Sequence, residues 1–331
     1  MISITCNCVE ISAFNEGVAA ILTSDGVGFI NTKGELIIPT IFEQVSHTKR
    51  INTRYMFKEG LSAFVRGGKC GYIDKKGNIV ISPEYDAASP FNGGIATVSR
   101  EGKWGAIDKN GKLVVPIEYD FAQPFSEGVC GVFKDNCCGY VDKSGNEVIP
   151  LTAKYDIVNP FKCGIAVVMV GKWTIEKGVN ETNGNNRFGA VNKNGELVVE
   201  LKYQYLSDFS ETLAAASIDG QKMYINTAGE TVLELPQYEL IGVFNEGLAW
   251  VKSGQKYGCI DKSGNLVIPI EYDNIPIFTG QYAPVSKNSL WGIIDKNGTI
   301  RLPIEYDSVS SVENGYAIVN KEASWSIIGI K

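Results

Sequence analysis

Carboxylates are the chemical group this 331-residue chain repeats most regularly. Tyr-Asp recurs at 85–86, 119–120, 155–156, 272–273 and 306–307, with Glu43, Gln204 and Glu239 in the equivalent places elsewhere. A ring of acids can bind a cation or a basic partner, and a matched pair can hydrolyse a glycosidic bond. A recurring acid can also simply accept a hydrogen bond from a nearby turn, repeated because the unit around it is repeated. Equal recurrence favours that structural role, since a catalytic site breaks symmetry. A second set of acids opens Asp-Lys-x-Gly turns such as 108–111 and 295–298. One aspartate beside a lysine lacks the alternating oxygen ligands of a calcium loop.

Other reactive groups are sparse. His47 is the only histidine, and neither a nucleophile elbow nor a glycine-rich phosphate loop accompanies it. Cys70 and Cys138 stand where Trp104 stands in a neighbouring unit, Cys130 falls in a column of alanines, and Cys259 shares a column with Ala106 and Ile293. That is the behaviour of small packing thiols, so free cysteines are expected. Neither Cys6-x-Cys8 nor Cys137-Cys138 has zinc-site spacing. No cofactor and no metal are expected.

What must position these groups is a repeat. Counted from the aromatic before each turn glycine (Phe14, Phe57, Phe91, Phe125, Phe161, Phe209, Phe244, Phe278), segments run 43, 34, 34, 36, 48, 35, 34 and 34 residues. A ninth copy starts at Val312 and stops after 20 residues. Alternating stretches such as 94–100 and 104–108 read as short strands, and no segment holds a 3.6-residue apolar period. Gly closes the reversal between the last two strands in all eight full copies, where a positive φ is needed. One column, including Ala19, Ser62, Ala96, Cys130 and Ala166, is small in all nine copies. The expectation is that these side chains crowd around a shared axis.

The first 13 residues match what the ninth copy lacks, with Ile2-Ser3-Ile4-Thr5 aligned to Leu113-Val114-Val115-Pro116. A unit shared between the two ends predicts a closed ring, which also removes exposed sheet edges. The predicted fold is therefore one all-β domain over 1–331, a propeller-like ring of about nine small antiparallel units. An open β-solenoid is the alternative.

Gly-Lys-Trp-Gly at 102–105, followed by I-D-x-x-G-x-x-V-x-P-x-x-Y-D, resembles the WG (or KWG) repeat family of bacterial proteins. The resemblance covers essentially the whole chain. Trp104, Trp173, Trp291 and Trp325 are assigned to the tryptophan column, which Val27, Cys70, Cys138, Met223 and Tyr257 fill elsewhere. The resemblance implies a β-rich repeat scaffold and no shared enzymatic activity.

Function is sought where the symmetry breaks. The insertion 46–56 gathers His47, Lys49, Arg50 and Arg54 on a chain of net charge −6, and 174–187 is polar and rich in Gly and Asn. With Trp173, Lys177, Arg187 and Trp250, these are the candidate partner-binding residues. A tolerated surface insertion of no consequence is the competing reading. The expected function is a non-enzymatic scaffold that binds another protein, with a carbohydrate-binding or glycoside-hydrolysing propeller as the alternative. The acidic balance speaks against nucleic acid, and no 18-residue apolar run suggests a membrane span. A cytoplasmic location is expected, because the N-terminus lacks the pattern of a signal peptide.

Overall fold

The computed structural model describes residues 2–3, 8–43, 55–171 and 186–330. These form nine small antiparallel sheets arranged in a ring, a nine-bladed β-propeller, with no helix among the described residues. The open solenoid is excluded. Blade 3 shows the pattern: a short innermost strand Ala87–Ala88, then Ile95–Arg100, Lys103–Asp108 and an outer strand Leu113–Tyr119, each paired with the next. Blades 2 and 8 keep only the last three as regular strands.

The N-terminal strand Ile2–Ser3 is the outer strand of blade 9, pairing with Ser324–Gly329 through Ile2↔Ile327 and Ser3↔Ser326. The ring is thus closed by both ends of the chain. The register differs by two residues from the sequence alignment. Ile2 stands opposite Ile327 as Val115, not Leu113, stands opposite Ala106.

Hydrogen bonding explains why the turns hold. The hairpins joining the first two strands turn on two residues of positive φ, for example Glu127 at 50° and Gly128 at 87°, the type I′ geometry that matches strand twist. In the Asp-Lys-x-Gly reversals the aspartate caps its own loop: Asp108 Oδ1 accepts the N–H groups of Asn110 and Lys112, both at 2.9 Å.

The glycine after the tryptophan column has a different cause. A Cβ on Gly105 would lie 2.6 and 2.7 Å from the carbonyl oxygens of Val115 and Pro116, because the outer strand bulges inward onto it. The same closeness recurs at Gly139, Gly258 and Gly292. Blade 6 has Tyr224 there instead, and its outer strand is cut to Thr231–Glu234.

The core lies between blades. Ala96 packs with Val98 and Ile107 against Tyr72 and Ala63 of blade 2. The small column therefore does not face the axis. It sits on the second strand and makes room for aromatics bridging adjacent sheets, such as Tyr72 and Phe91 with ring centres 4.7 Å apart. Tyr140 with Phe161 and Tyr224 with Phe244 repeat the arrangement.

Cys70, Cys130, Cys137, Cys138, Cys163 and Cys259 are free thiols, four of them buried in these layers. Cys8 corrects the expectation of free cysteines throughout: it is disulfide-bonded. Its side chain is half-buried, packed against the layer between blades 9 and 1 that holds Ile11, Ile21 and Ile318.

Candidate binding faces and central cavity

Antiparallel strands place the connections alternately on two faces of the ring. One face carries the turn between the first and second strands and the Asp-Lys-x-Gly reversal. The other carries the turn between the second and third strands and the links from blade to blade.

On the first face, carboxylates clamp neighbouring blades. Glu59 Oε1 and Oε2 of blade 2 accept the N–H groups of Gly93 and Gly94 of blade 3, at 2.5 and 3.0 Å, and Glu59 pairs with Lys109 at 3.1 Å. Glu16 does the same for Glu59 N, Gly60 N and Lys75, and Glu127 for Gly164 N and Lys193. Partial burial works to raise the Glu59 carboxyl, but Lys109 and the two N–H donors outweigh it and hold it below its ordinary value. The clamp glutamates pay a conformational cost, since Glu16, Glu59, Glu127, Glu211 and Glu246 all lie at φ between 50 and 56°. Left-handed backbone costs a non-glycine residue about 1 kcal/mol.

At the ring's seam the arrangement differs. Glu313 of blade 9 accepts from Gly17 N of blade 1 at 3.3 Å, and its Oε2 is buried without a hydrogen-bond partner among the described residues. Burial first, together with the nearby Glu16 charge, holds its carboxyl above the ordinary range despite the Gly17 and Glu16 N–H groups and Lys75.

On the second face, the Tyr-Asp carboxylates are consumed by structure. Asp120 Oδ2 accepts the turn N–H of Asp135 at 2.9 Å, and its Oδ1 meets Lys103 of the preceding blade at 2.5 Å. Asp86 likewise takes Glu101 N at 2.7 Å and pairs with Lys69, and Asp273 takes Asn288 N at 2.6 Å and pairs with Lys256. The lysine partners lead in holding all three below the usual carboxylate range. Glu43, Gln204 and Glu239 accept turn N–H groups in the same way.

The innermost segments line the hole of the ring. A cavity of about 380 Å³ is bounded by Asp208, Phe244, Phe278 and Trp250 of blades 6–8 with Lys162 of blade 5, and another of about 590 Å³ by Phe14, Tyr55, Thr279 and Val312 of blades 8, 9, 1 and 2. Blade 7 departs from the pattern here. Elsewhere Ser12, Ser89, Ser207 and Ser310 each accept the N–H of a second-strand residue at 2.9 Å. Blade 7 has Gly242 in that place, and the Trp250 indole occupies the space that a side chain there would need. Trp250 stands edge-on to Tyr257, ring centres 6.0 Å apart, with Val243 and the 60%-exposed Ile277 among the cavity's lining residues. The result is an apolar recess beside the Lys162–Asp208 ion pair at 3.5 Å.

Of the sequence-derived candidates, His47, Lys49, Arg50, Arg54, Trp173 and Lys177 lie outside the described residues. Arg187 opens the third strand of blade 5, Arg187–Asn192, at the second face, while Trp250 faces the central cavity in blade 7. The structure does not bring these two together. Trp173 is not the tryptophan-column residue of blade 5. Phe188 pairs with Tyr203 as Trp104 pairs with Tyr119, because the extra residues precede that strand in the chain. Sequence reasoning missed the Glu clamps. Their signal was Glu before Gly at 16–17, 59–60, 127–128 and 246–247, a position where Asn or Gly is the easier choice.

Burial pushes the Cys130 and Cys259 thiols up to about 12 and Cys138 to about 11, keeping them protonated at neutral pH. No group of three or more His, Cys, Asp or Glu side chains able to hold a metal occurs among the described residues.

Eight segments, 28–50, 71–104, 104–136, 139–172, 188–221, 223–257, 257–291 and 291–325, match the model for the WG containing repeat. The chain belongs to the WG repeat family. No curated protein matches its sequence. Among solved structures, a eukaryotic initiation factor superposes with a TM-score of 0.59 at 14% identity, over 94% of this chain and 89% of that one. Hsv2p of Kluyveromyces lactis gives 0.44 at 10% identity, over 98% of each chain. The initiation-factor likeness is one of fold. In seven of the nine blades a glycine of the repeat seats the outer strand, while tryptophan is optional.

Proposed function

We propose that this WG-repeat propeller is a non-enzymatic scaffold that binds another protein through its second face. One observation carries the reading. Both long departures from the repeat open on that face: the chain leaves the regular blade at Glu43, where a blade-to-blade link begins, and leaves at Gly171 and re-enters at Asn186 between the second and third strands of blade 5. Loops on a rigid frame are where recognition concentrates. The recurrent carboxylates support a binding role over hydrolysis, because those described are held by turn N–H groups and lysines. The partner is a protein, not nucleic acid or a membrane, and the net charge of −6 agrees with that choice.

The test is capture of partners from the native host by three forms of the chain. Replacing 172–185 with a short Gly-Ser turn should weaken capture. Substituting clamp-face Lys109 and Lys143 by Ser should leave it intact. Equal capture by all three forms would refute the assignment of the binding face.

A further inference from the structure

Each blade carries one residue just before its core aromatic, on the innermost segment. Three consecutive copies hold proline there: Pro90, Pro124 and Pro160. The next three hold Asp208, Val243 and Ile277, and all of these line the cavity of about 380 Å³. Asp208 is the one charged residue at this place in the nine copies.

Its partner is also unusual. Lys162 follows the core aromatic of blade 5, a place that Asn92, Ser126, Ser210 and Asn245 fill in blades 3, 4, 6 and 7. Lys58 stands there in blade 2, but the next blade offers it Pro90 instead of an acid. Lys162 Nζ lies 3.5 Å from Asp208 Oδ2, while Asn159 Nδ2 donates to Asp208 Oδ1 at 2.8 Å and fixes the carboxylate. The ion pair is loose and leaves capacity unused. An ammonium has three donors and a carboxylate oxygen two lone pairs, yet neither Lys162 Nζ nor Asp208 Oδ2 has another polar partner among the described residues. Other first-face lysines are tied into the glutamate clamps, as Lys193 is to Glu127 and Lys262 to Glu211. Ser210 borders the same cavity. Its counterpart Ser126 donates its hydroxyl to Phe161 O at 2.6 Å, whereas Ser210 Oγ has no partner among the described residues.

Beside these polar groups the recess is apolar. The buried Phe244 and Phe278 and the half-buried Trp250 contribute three aromatic side chains, and the exposed Val243 and Ile277 add aliphatic surface. Covering that surface favours an apolar occupant, and the rings favour an aromatic one. The volume lies at the lower end of the range of about 300–1,000 Å³ for small-molecule sites.

A free α-amino acid joins an ammonium, a carboxylate and a side chain at one carbon. We propose that this recess binds a free amino acid with an aromatic side chain, its carboxylate on Lys162, its ammonium on Asp208 and its ring among Phe244, Phe278 and Trp250. The loose ion pair is then replaced by two charge-assisted hydrogen-bonded pairs. A peptide terminus carries only one of the two charges and leaves the other member of the pair unmatched. Lys162 and Ser210 open the turns between the first and second strands, so the charged end of the recess lies toward the first face. The protein partner is assigned to the opposite face, and the two readings fail independently.

Equilibrium dialysis of the full chain against labelled L-phenylalanine tests this. Saturable binding at one site is expected. N-acetyl-L-phenylalanine, L-phenylalaninamide and L-alanine each lack one of the three groups, and each should compete roughly tenfold more weakly than unlabelled L-phenylalanine. Asp208→Ala and Lys162→Ser install what blades 1 and 4 already carry at those places, Ala13 and Ser126. Both should keep the wild-type circular dichroism spectrum and melting temperature and lose affinity roughly tenfold. No binding at millimolar L-phenylalanine, an affinity unchanged in either variant, or equal competition by the N-acetyl or amide form overturns the proposal.

Discussion

Blades 3 and 5 share a frame and little else. Both pair their third and outer strands in one register: Trp104↔Tyr119, Ala106↔Val115 and Ile107↔Leu113 in blade 3, Phe188↔Tyr203, Ala190↔Val199 and Val191↔Leu197 in blade 5. Yet blade 3 joins its second and third strands through Glu101-Gly102, whereas blade 5 spends residues 171–186 on that step. Blade 5 also has Phe188 in place of the tryptophan, Glu200 in place of the outer-strand Pro116 and Cys163 in place of Gly93. What survives in both is the glycine under the outer strand, the small residue on the second strand (Ala96 or Ala166) and the apolar alternation. Those features make the blade. The rest is available for function.

The largest effect should come from attacking what the two blades share. Gly105→Ala and Gly189→Ala each drive a Cβ to within 2.6 Å of an outer-strand carbonyl oxygen, or closer. Each should cost about 3 kcal/mol in urea unfolding. A loss confined to Gly105 would break the equivalence of the blades. Ala96→Leu comes next, at roughly 1–3 kcal/mol, because the added bulk enters the layer beneath Tyr72 and Phe91. A neutral result would show that layer to be loose.

Smaller effects separate the seam from the interior. The Glu59 carboxyl is held low in the folded state, so its contribution is present above its unfolded pKa and is lost as pH falls through the folded value. Glu313 is held high, so its contribution is present in acid and is lost as pH rises through its folded value. At pH 7, Glu59→Gln should lower the melting temperature slightly and Glu313→Gln should raise it, each by less than about 1 kcal/mol in stability. Shifts of the same sign in thermal melts at pH 7 would contradict the distinction.

Much of this was legible in the sequence, for physical reasons that can be named. The turn glycines, the 34-residue period and the shared ninth unit follow from local rules of φ and strand alternation, and they specified the ring. The direction of the small column was not legible. A side chain on the second strand of a twisted blade faces the next sheet, and the spacing that places Ala96 there is the same as for a residue facing an axis. Trp173 misled because residue type outweighed position: Phe188, after the insertion, has the tryptophan's partner Tyr203. Trp250 stands among the candidates the sequence offers, but its pairing with Gly242 requires knowing that the two strands are adjacent. The Glu clamps act between blades, so no single repeat displays both donor and acceptor.

The central claim is that the repeat holds the ring while departures from it are left for binding. Thermal unfolding of the chain with 172–185 replaced by a short Gly-Ser turn tests it most directly. A melting temperature within a few degrees of the wild type is predicted. A collapse of the fold would show that blade 5 depends on its insertion, and would contradict the division between frame and function.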